Sequence, residues 1–458
     1  MRMVSATSGF SRLLAGALAL LATAAGAAQA APTLIADLVT GEVIAQEEAT
    51  RPWYPASVTK LMTAFVALRA IRDGRVTMDT PFVVSARAAR AAPSKMGFNP
   101  GTEVTLDNAL KMLMVKSAND LAITIAEGIS GSVEDFAAEM NKAAAGLGMR
   151  QSHFVNPNGL FDPHHVSSAR DMAVLARALY TEFPRAADLY GIGALKLGDR
   201  VIPTHNGLLG RYPGADGMKT GFVCASGFNV VASAMRNGRH LVVVVMGSPN
   251  ARARTIKAAS LFDLGFGASG FMRKASLASL PDVGGEPPNL RPEICGKNKK
   301  VVQEDDLAVV QQPSDTGDSA AAFFANDGRA GARPFVMGPR PVFEPVEVFV
   351  GRKPDWTGPV AMARATPASA PAPTSSATAF AAQPGIGATA SRAIAVKSVP
   401  DKTAAVNKAS VQMTPQLKKM KAAALKRAAE KKQLAQKAAA SKKDEPAKTA
   451  SKSKDKAQ

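Results

Sequence analysis

Cysteine, histidine and long apolar runs are all scarce in this sequence of 458 residues. The five histidines are scattered, with no His-Glu-x-x-His or other paired-ligand spacing, so we expect no metal site and no cofactor. No stretch beyond the first thirty residues is long and apolar enough to cross a bilayer. These absences argue against a metalloenzyme and against a protein that spans a membrane several times.

The two cysteines, Cys224 and Cys295, allow at most one disulfide. An exported protein could oxidise them. Cys224, however, lies in an apolar run typical of a strand, and a buried free cysteine is common in such places. The sequence leaves both states open and favours free thiols.

The first thirty residues have the features of a secretory signal. Arg2 and Arg12 provide a positive start, residues 13–28 form an apolar run, and Ala28-Gln29-Ala30 is a small-x-small cleavage site. The alternative is a retained anchor, but the run is short for a membrane span and lacks charged flanks on its far side. We expect residues 1–30 to be a signal peptide and the mature protein to be exported.

The net charge of +19 is distributed unevenly. Residues 402–458 contain 16 Lys/Arg and 4 Asp/Glu, a charge of +12, so the rest of the chain carries +7. Residues 361–400 are rich in Ala, Pro, Ser and Thr and are typical of a linker. We predict that 361–458 is a disordered, low-complexity tail, with anionic lipid, wall polymer or an acidic protein as its candidate partners and no nucleic acid.

Residues 31–270 predict a mixed α/β (α+β) fold, in which helices sandwich an antiparallel sheet and part of the domain is all-helical. Short strands are predicted at 33–37, 42–45, 77–85, 103–105, 218–225, 227–234 and 239–246. Helices are predicted at 106–115, 121–129, 134–147, 168–180 and 250–264. The last three strands have the spacing of a meander. Residues 271–360 hold many prolines and a few extended pieces, such as 346–350, and predict no recognisable domain.

The stretch 55–65 has helical spacing and carries a candidate reactive pair, Ser57 and Lys60. A helix that opens at Ser57 places Ser57 and Lys60 on neighbouring turns of one face. An amine held there can take the hydroxyl proton when burial or a second cation keeps it partly neutral. The alternative is a capping serine with a solvated lysine. The spacing alone does not decide, because it recurs at Ser451 and Lys454 in the tail.

Three short motifs occur in a telling order: Ser57-Val58-Thr59-Lys60, Ser117-Ala118-Asn119 and Lys219-Thr220-Gly221. Each alone is weak. Together, in helix, loop and strand contexts, they are the set found in serine penicillin-recognising enzymes. Further matching stretches lie at 55–63, 116–120, 156–160, 168–173 and 216–222. Over about residues 31–270 the chain therefore resembles the low-molecular-mass penicillin-binding proteins, the serine-type D-Ala-D-Ala carboxypeptidases of peptidase family S11.

This resemblance implies a penicillin-binding-protein/β-lactamase-like transpeptidase fold, a location in the periplasm or cell envelope, and peptidoglycan stem peptides as substrates. It also implies covalent inhibition by β-lactams. Ser57 would attack the terminal D-Ala-D-Ala bond, Lys60 would be the base, and Ser117 would pass a proton to the leaving D-alanine. Asn119 would hold the substrate amide.

The remaining implied roles concern the carboxylate and the oxyanion. Lys219, Thr220 and Arg254 would face the terminal carboxylate of the substrate. Backbone N–H groups of Ser57 and Phe222 would form the oxyanion hole. Without the resemblance, Ser117 could be a loop cap, and Lys219 and Arg254 surface charges. The strand-interior Gly221 is more telling, since such a glycine often lets another backbone come close.

Other functions stay open on the same motifs. A DD-endopeptidase that cuts crosslinks would use the same machinery. A β-lactamase is disfavoured, because residues 152–171 contain no glutamate to activate a deacylating water. A non-enzymatic envelope-binding protein is the third alternative. The sequence also departs from relatives at Val223 and His164, and the β-rich second domain and amphipathic anchor of several relatives are not recognisable.

Overall fold

The computed structural model describes residues 31–268, 275–296 and 339–364. The predicted signal peptide and nearly all of the predicted tail lie outside the described residues. In the described ranges, every helix is too short or too polar to span a membrane.

The main sheet has five strands in the order β2-β1-β9-β8-β7, and every neighbouring pair is antiparallel. The predicted meander of three late strands is confirmed, and the predicted early hairpin joins it through β1 and β9. The strand β7 lies at the edge of this sheet. The strands are β1 Thr33–Asp37, β2 Val43–Glu47, β3 Pro81–Val83, β4 Glu103–Thr105, β5 Ala194–Leu197, β6 Arg200–Pro203, β7 Ala215–Val223, β8 Gly227–Arg236, β9 Arg239–Ser248 and β10 Val346–Val348.

Helices cover both faces of the sheet, as predicted. Two 3₁₀ helices, Ala56–Thr59 and Pro184–Gly191, accompany them. The α-helices are α1 Lys60–Arg72, α2 Ala86–Ala89, α3 Leu106–Val115, α4 Asn119–Ser130, α5 Val133–Leu147, α6 Ala169–Glu182, α7 Ala251–Gly267 and α8 Arg291–Cys295.

The valine run of β9 shows how the sheet divides the core. Side chains alternate along a strand, so Val242 and Val244 face the larger core beneath α1 and α3–α6. Val243 and Val245 point the other way and pack with Phe262 of α7. The strand is thus buried on both faces, which explains why it reads as a continuous apolar run.

Helix α1 lies at the centre of the helical part. Ten of its thirteen residues are buried, as expected of a helix packed on all sides. It continues directly from the 3₁₀ turn Ala56–Thr59, so the predicted helix opening at Ser57 is present with a tighter first turn. Its N-terminal end points to β7, and this junction positions the candidate site.

The expectation of free thiols is wrong. Cys224 and Cys295 form a disulfide across a sequence separation of 71 residues. Cys224 belongs to the turn between β7 and β8, because β7 ends at Val223 rather than continuing through residue 225 as predicted. A turn position leaves the sulfur within reach of α8.

Two segments beyond residue 270 pack on the body. Leu277 and Leu280 are buried in its larger core. Asp282 accepts a hydrogen bond from the buried Arg170 at 2.8 Å. Further on, β10 adds a parallel strand beside β5. The predicted extended piece at 346–350 is therefore present as a three-residue strand.

Candidate active site

Ser57 and Lys60 form the centre of the site. Lys60 is fully buried, and its Nζ lies 2.9 Å from Ser57 Oγ. Nζ also donates to Asn119 Oδ1 at 2.7 Å and to the carbonyl of Asn158 at 2.6 Å. Two carbonyl oxygens thus hold two N–H groups of the amine and turn its third position to Ser57. In a neutral amine that position is a lone pair aimed at the serine hydroxyl.

The loop 156–160 packs against the segment that carries Ser57 and Lys60. Gly159 lies so close to the segment that carries Ser57 that a Cβ there would overlap the carbonyl oxygen of Ala56. Thr63 Oγ1 donates to the carbonyl of Pro157 at 2.5 Å. Helix α1 and the loop therefore hold each other, and the Asn158 carbonyl that binds Lys60 is fixed as a consequence.

The edge strand β7 approaches from the other side. A Cβ on Gly221 would lie 2.8 Å from the backbone N of Ser57 and 2.9 Å from that of Val58. Only glycine permits this approach, as the sequence indicated. Because β7 has no neighbour on its outer edge in the described sheet, its backbone groups can pair with an extended peptide there.

Ser117 lies in a strained loop at the start of α4. Its φ of +62° is in the left-handed region, which is unfavourable for a residue with a side chain. Its Oγ is buried and has no hydrogen-bond partner within the described ranges. Next to it, Asn119 bridges two elements, since Oδ1 accepts from Lys60 and Nδ2 donates to the carbonyl of Ala92 at 2.9 Å. The motif Ser117-Ala118-Asn119 therefore contacts Lys60 through Asn119.

Lys219 and Thr220 precede Gly221 on the same strand. Lys219 is buried and shares a face of β7 with Gly221, two residues or about 7 Å along the strand. Thr220 points to the opposite face, and its Oγ1 is a second buried hydroxyl with no partner in the part of the chain described. At this point β7 therefore has the amine of Lys219 on one face and the hydroxyl of Thr220 on the other.

Arg254 lies on α7, next to the partner strand of β7. It is only 2% exposed and donates to the carbonyls of Asn229 and His205, both at 3.3 Å. Asn229 pairs with Gly221 across the two strands, so the guanidinium lies beside the Lys-Thr-Gly strand. A role of Arg254 in binding a substrate carboxylate stays a prediction.

Sequence reasoning missed His165, which is buried and contacts Thr59, between Ser57 and Lys60. Its Nδ1 accepts from the N–H of Val155 at 3.1 Å, so Nε2 carries the proton and donates to Thr59 Oγ1 at 2.8 Å. Burial, with smaller effects of nearby His153 and Lys60, lowers the pKa of His165 to about 3. A neutral ring therefore braces the residue before Lys60.

Asn229 was also missed. Its Nδ2 donates to the carbonyls of Tyr54 and Pro55 at 3.0 Å each, and its Oδ1 accepts from the N–H of Gly247. The side chain thereby ties the segment before Ser57 to the sheet. A polar residue inside the apolar strand β8 was the signal that could have revealed it.

A serine hydroxyl, a buried lysine 2.9 Å away and an open strand edge thus lie together, an arrangement that pairs a possible nucleophile with a possible base. Comparison with known proteins agrees. The sequence model of the D-alanyl-D-alanine carboxypeptidase family, peptidase S11, matches residues 20–250. That is half of the chain, and the chain belongs to this family.

Individual relatives support the assignment. D-alanyl-D-alanine carboxypeptidase DacF of Bacillus subtilis is 33% identical over 231 residues, 50% of this chain and 59% of the relative. D-alanyl-D-alanine carboxypeptidase DacA of Haemophilus influenzae is 34% identical over 239 residues, 51% of this chain and 61% of the relative. The chain thus spans about three fifths of the length of these curated relatives.

Solved structures confirm the predicted fold. Penicillin binding protein 5 from Haemophilus influenzae has a TM-score of 0.50 at 32% identity, covering 52% of this chain and 71% of that one. Penicillin binding protein 6B from Escherichia coli has a TM-score of 0.50 at 33% identity, covering 52% of this chain and 78% of that one. The sheet-and-helix architecture of residues 31–268 is therefore that of a penicillin-binding protein.

Proposed function

We propose that this chain removes the terminal D-alanine from peptidoglycan stem pentapeptides through an acyl-enzyme on Ser57, in the periplasm or cell envelope. The observation that carries the proposal is the 2.9 Å contact between Lys60 Nζ and Ser57 Oγ, with the other two positions of the amine held by Asn119 and Asn158. The names of the relatives add support, since they are D-alanyl-D-alanine carboxypeptidases and penicillin-binding proteins.

In the first step, Lys60 takes the proton of Ser57 while Oγ attacks the carbonyl of the penultimate D-alanine. The oxyanion is held by backbone N–H groups of Ser57 and Phe222. When the tetrahedral intermediate collapses, the C–N bond breaks and Ser117 delivers its hydroxyl proton to the amine of the departing D-alanine, while the proton held on Lys60 replaces it on Ser117. The products of this step are free D-alanine and a serine ester.

In the second step, water attacks the ester and releases the tetrapeptide, and Ser57 regains its proton. Lys219, Thr220 and Arg254 supply the positive charge and hydroxyl that hold the substrate carboxylate, while the second N–H of Asn119 holds its amide. This carboxylate is what separates a free peptide end from an internal bond. β-Lactams would acylate the same hydroxyl by opening their ring.

A defined muropeptide mixture tests the reaction. Incubated with monomeric pentapeptides and crosslinked dimers, the wild type should release D-alanine from the pentapeptides, and Ser57→Ala should release none. Loss of dimers without free D-alanine would indicate the endopeptidase instead. Release of D-alanine by Ser57→Ala would contradict the proposal.

A further inference from the structure

The segment before Ser57 defines one side of the cleft. Trp53 Nε1 donates to the carbonyl of Ser226 at 3.0 Å, and Ser226 lies in the turn that follows β7. Four residues later, the backbone of Ser57 meets Gly221. The chain from residue 53 to 57 therefore runs back along β7 from its C-terminal end. Tyr54 consequently lies on the Phe222–Cys224 side of Ser57.

The leaving-group side is the opposite one. Lys219 and Thr220, the proposed carboxylate-binding residues, precede Gly221 on β7. A substrate with its carboxylate there and its reacting carbonyl at Ser57 must continue past Phe222. Its acyl portion, which stays on the enzyme, thus extends toward Tyr54.

An exposed aromatic ring stands at this end. Phe161 is 41% exposed, whereas Tyr54, which it contacts, is 8% exposed. The two rings meet edge to face, with centroids 5.1 Å apart. Phe161 is the next residue after the loop 156–160, whose Asn156 Nδ2 donates to the carbonyl of Leu160 at 3.0 Å. A loop held by its own hydrogen bonds therefore places a partly exposed apolar side chain against the segment that leads into Ser57.

We propose that Phe161, seated on Tyr54, is a specificity-determining residue that packs against the apolar part of the substrate's acyl group. In a stem peptide this is the aliphatic side chain preceding the D-Ala-D-Ala unit, and in a β-lactam it is the acylamino side chain. The inference rests on the proposed acyl-enzyme at Ser57. The proposed contact would stabilise the bound acyl group through buried apolar area rather than through charge.

Two β-lactams that share one reactive ring isolate this contact. Benzylpenicillin carries a phenylacetyl side chain, and 6-aminopenicillanic acid carries none. Phe161→Ala should lower the acylation rate constant for benzylpenicillin by about tenfold, the usual effect of a lost apolar contact in a binding site. The rate constant for 6-aminopenicillanic acid should change by less than about twofold. Phe161→Leu, which keeps much of the apolar area, should be intermediate.

The matched control is Val201→Ala, which trims another exposed apolar side chain, 55% exposed on β6. It should leave both rate constants unchanged. Equal effects of Phe161→Ala on the two compounds, or none on either, would overturn the inference while the adducts still form. Absence of any adduct on the wild type would overturn the proposed acyl-enzyme and the inference with it. Melting temperatures of the variants show that each is folded.

Discussion

At the residue scale, Gly221 sets how closely β7 can approach the nucleophile. A methyl group there would stand 2.8 Å from the backbone N of Ser57, so Gly221→Ala must push the strand and the turn apart. Displacement of about 1 Å in a reacting geometry costs roughly a hundredfold in rate. We expect that loss in acylation by a fluorescent penicillin.

The control is Gly146→Ala, at an exposed position in α5 where a Cβ meets nothing within 4 Å. It should acylate at the wild-type rate. Wild-type acylation of Gly221→Ala would show that the strand and the nucleophile are not in contact.

His165 gives the fold a pH dependence that can be isolated. Its pKa is lowered to about 3 in the folded protein, whereas in the unfolded chain it is about 6.5. Below about pH 6.5 the unfolded chain binds a proton on His165 that the folded protein does not bind, so protonation favours the unfolded state. The contribution of His165 to the free energy of unfolding is therefore complete above about pH 6.5 and is lost as the pH falls toward 3. The limiting slope is about 1.4 kcal/mol per pH unit.

Urea unfolding at a series of pH values compares the wild type with His165→Gln, which retains a donor toward Thr59. The wild type should lose stability more steeply below about pH 6, because the variant has no ring to protonate. Parallel curves for the two proteins would mean that His165 is not held neutral.

At the scale of elements, the disulfide joins the β7–β8 turn to α8. Leu290 N–H also donates to the carbonyl of Ala225 at 2.9 Å, so the segment before α8 lies along that turn. A crosslink over 71 residues removes much freedom from the unfolded chain. The double substitution Cys224→Ser/Cys295→Ser should lower the free energy of unfolding by about 2–4 kcal/mol.

A reductant should lower the stability of the wild type by a similar amount and leave the double variant unchanged. The measurement is chemical unfolding with and without thiol. If the double variant unfolds at the wild-type denaturant concentration, the crosslink makes no contribution.

At the scale of the whole molecule, segment 339–364 spans several parts of the domain. Its β10 pairs with β5, Gly351 N–H donates to the carbonyl of Glu103, and Ala361 pairs with Phe82 of β3. Val348 is buried by these contacts. The segment thus adds a strand to one small sheet and pairs with both strands of the other.

Truncation separates this segment from the rest of the C-terminal region. Deleting residues 365–458 should leave the free energy of unfolding unchanged. Deleting 339–458 should lower it by roughly 2–4 kcal/mol, because the core loses the buried Val348 and the apolar side chains that it covers become exposed. Equal stability of the two truncated proteins, measured by urea unfolding, would show that the segment does not contribute.

The sequence predicted local features of the molecule better than distant contacts. Period-3.6 and period-2 patterns located α3–α7 and the β7–β9 meander, and Ser57, Lys60 and Gly221 stood in recognisable motifs. Pairing of β1 with β9, the Cys224–Cys295 crosslink and the parallel β10 depend on residues far apart in the chain, which no local pattern encodes. The neutral state of His165 likewise arises only from burial in the finished fold.

We propose that Ser57, held against the buried Lys60, is the nucleophile of this site. Mass spectrometry of the protein after incubation with benzylpenicillin tests it most directly. We expect a mass increase equal to one penicillin, located by peptide mapping on Ser57 and absent from Ser57→Ala. An adduct on another residue, or one that persists in Ser57→Ala, would contradict it.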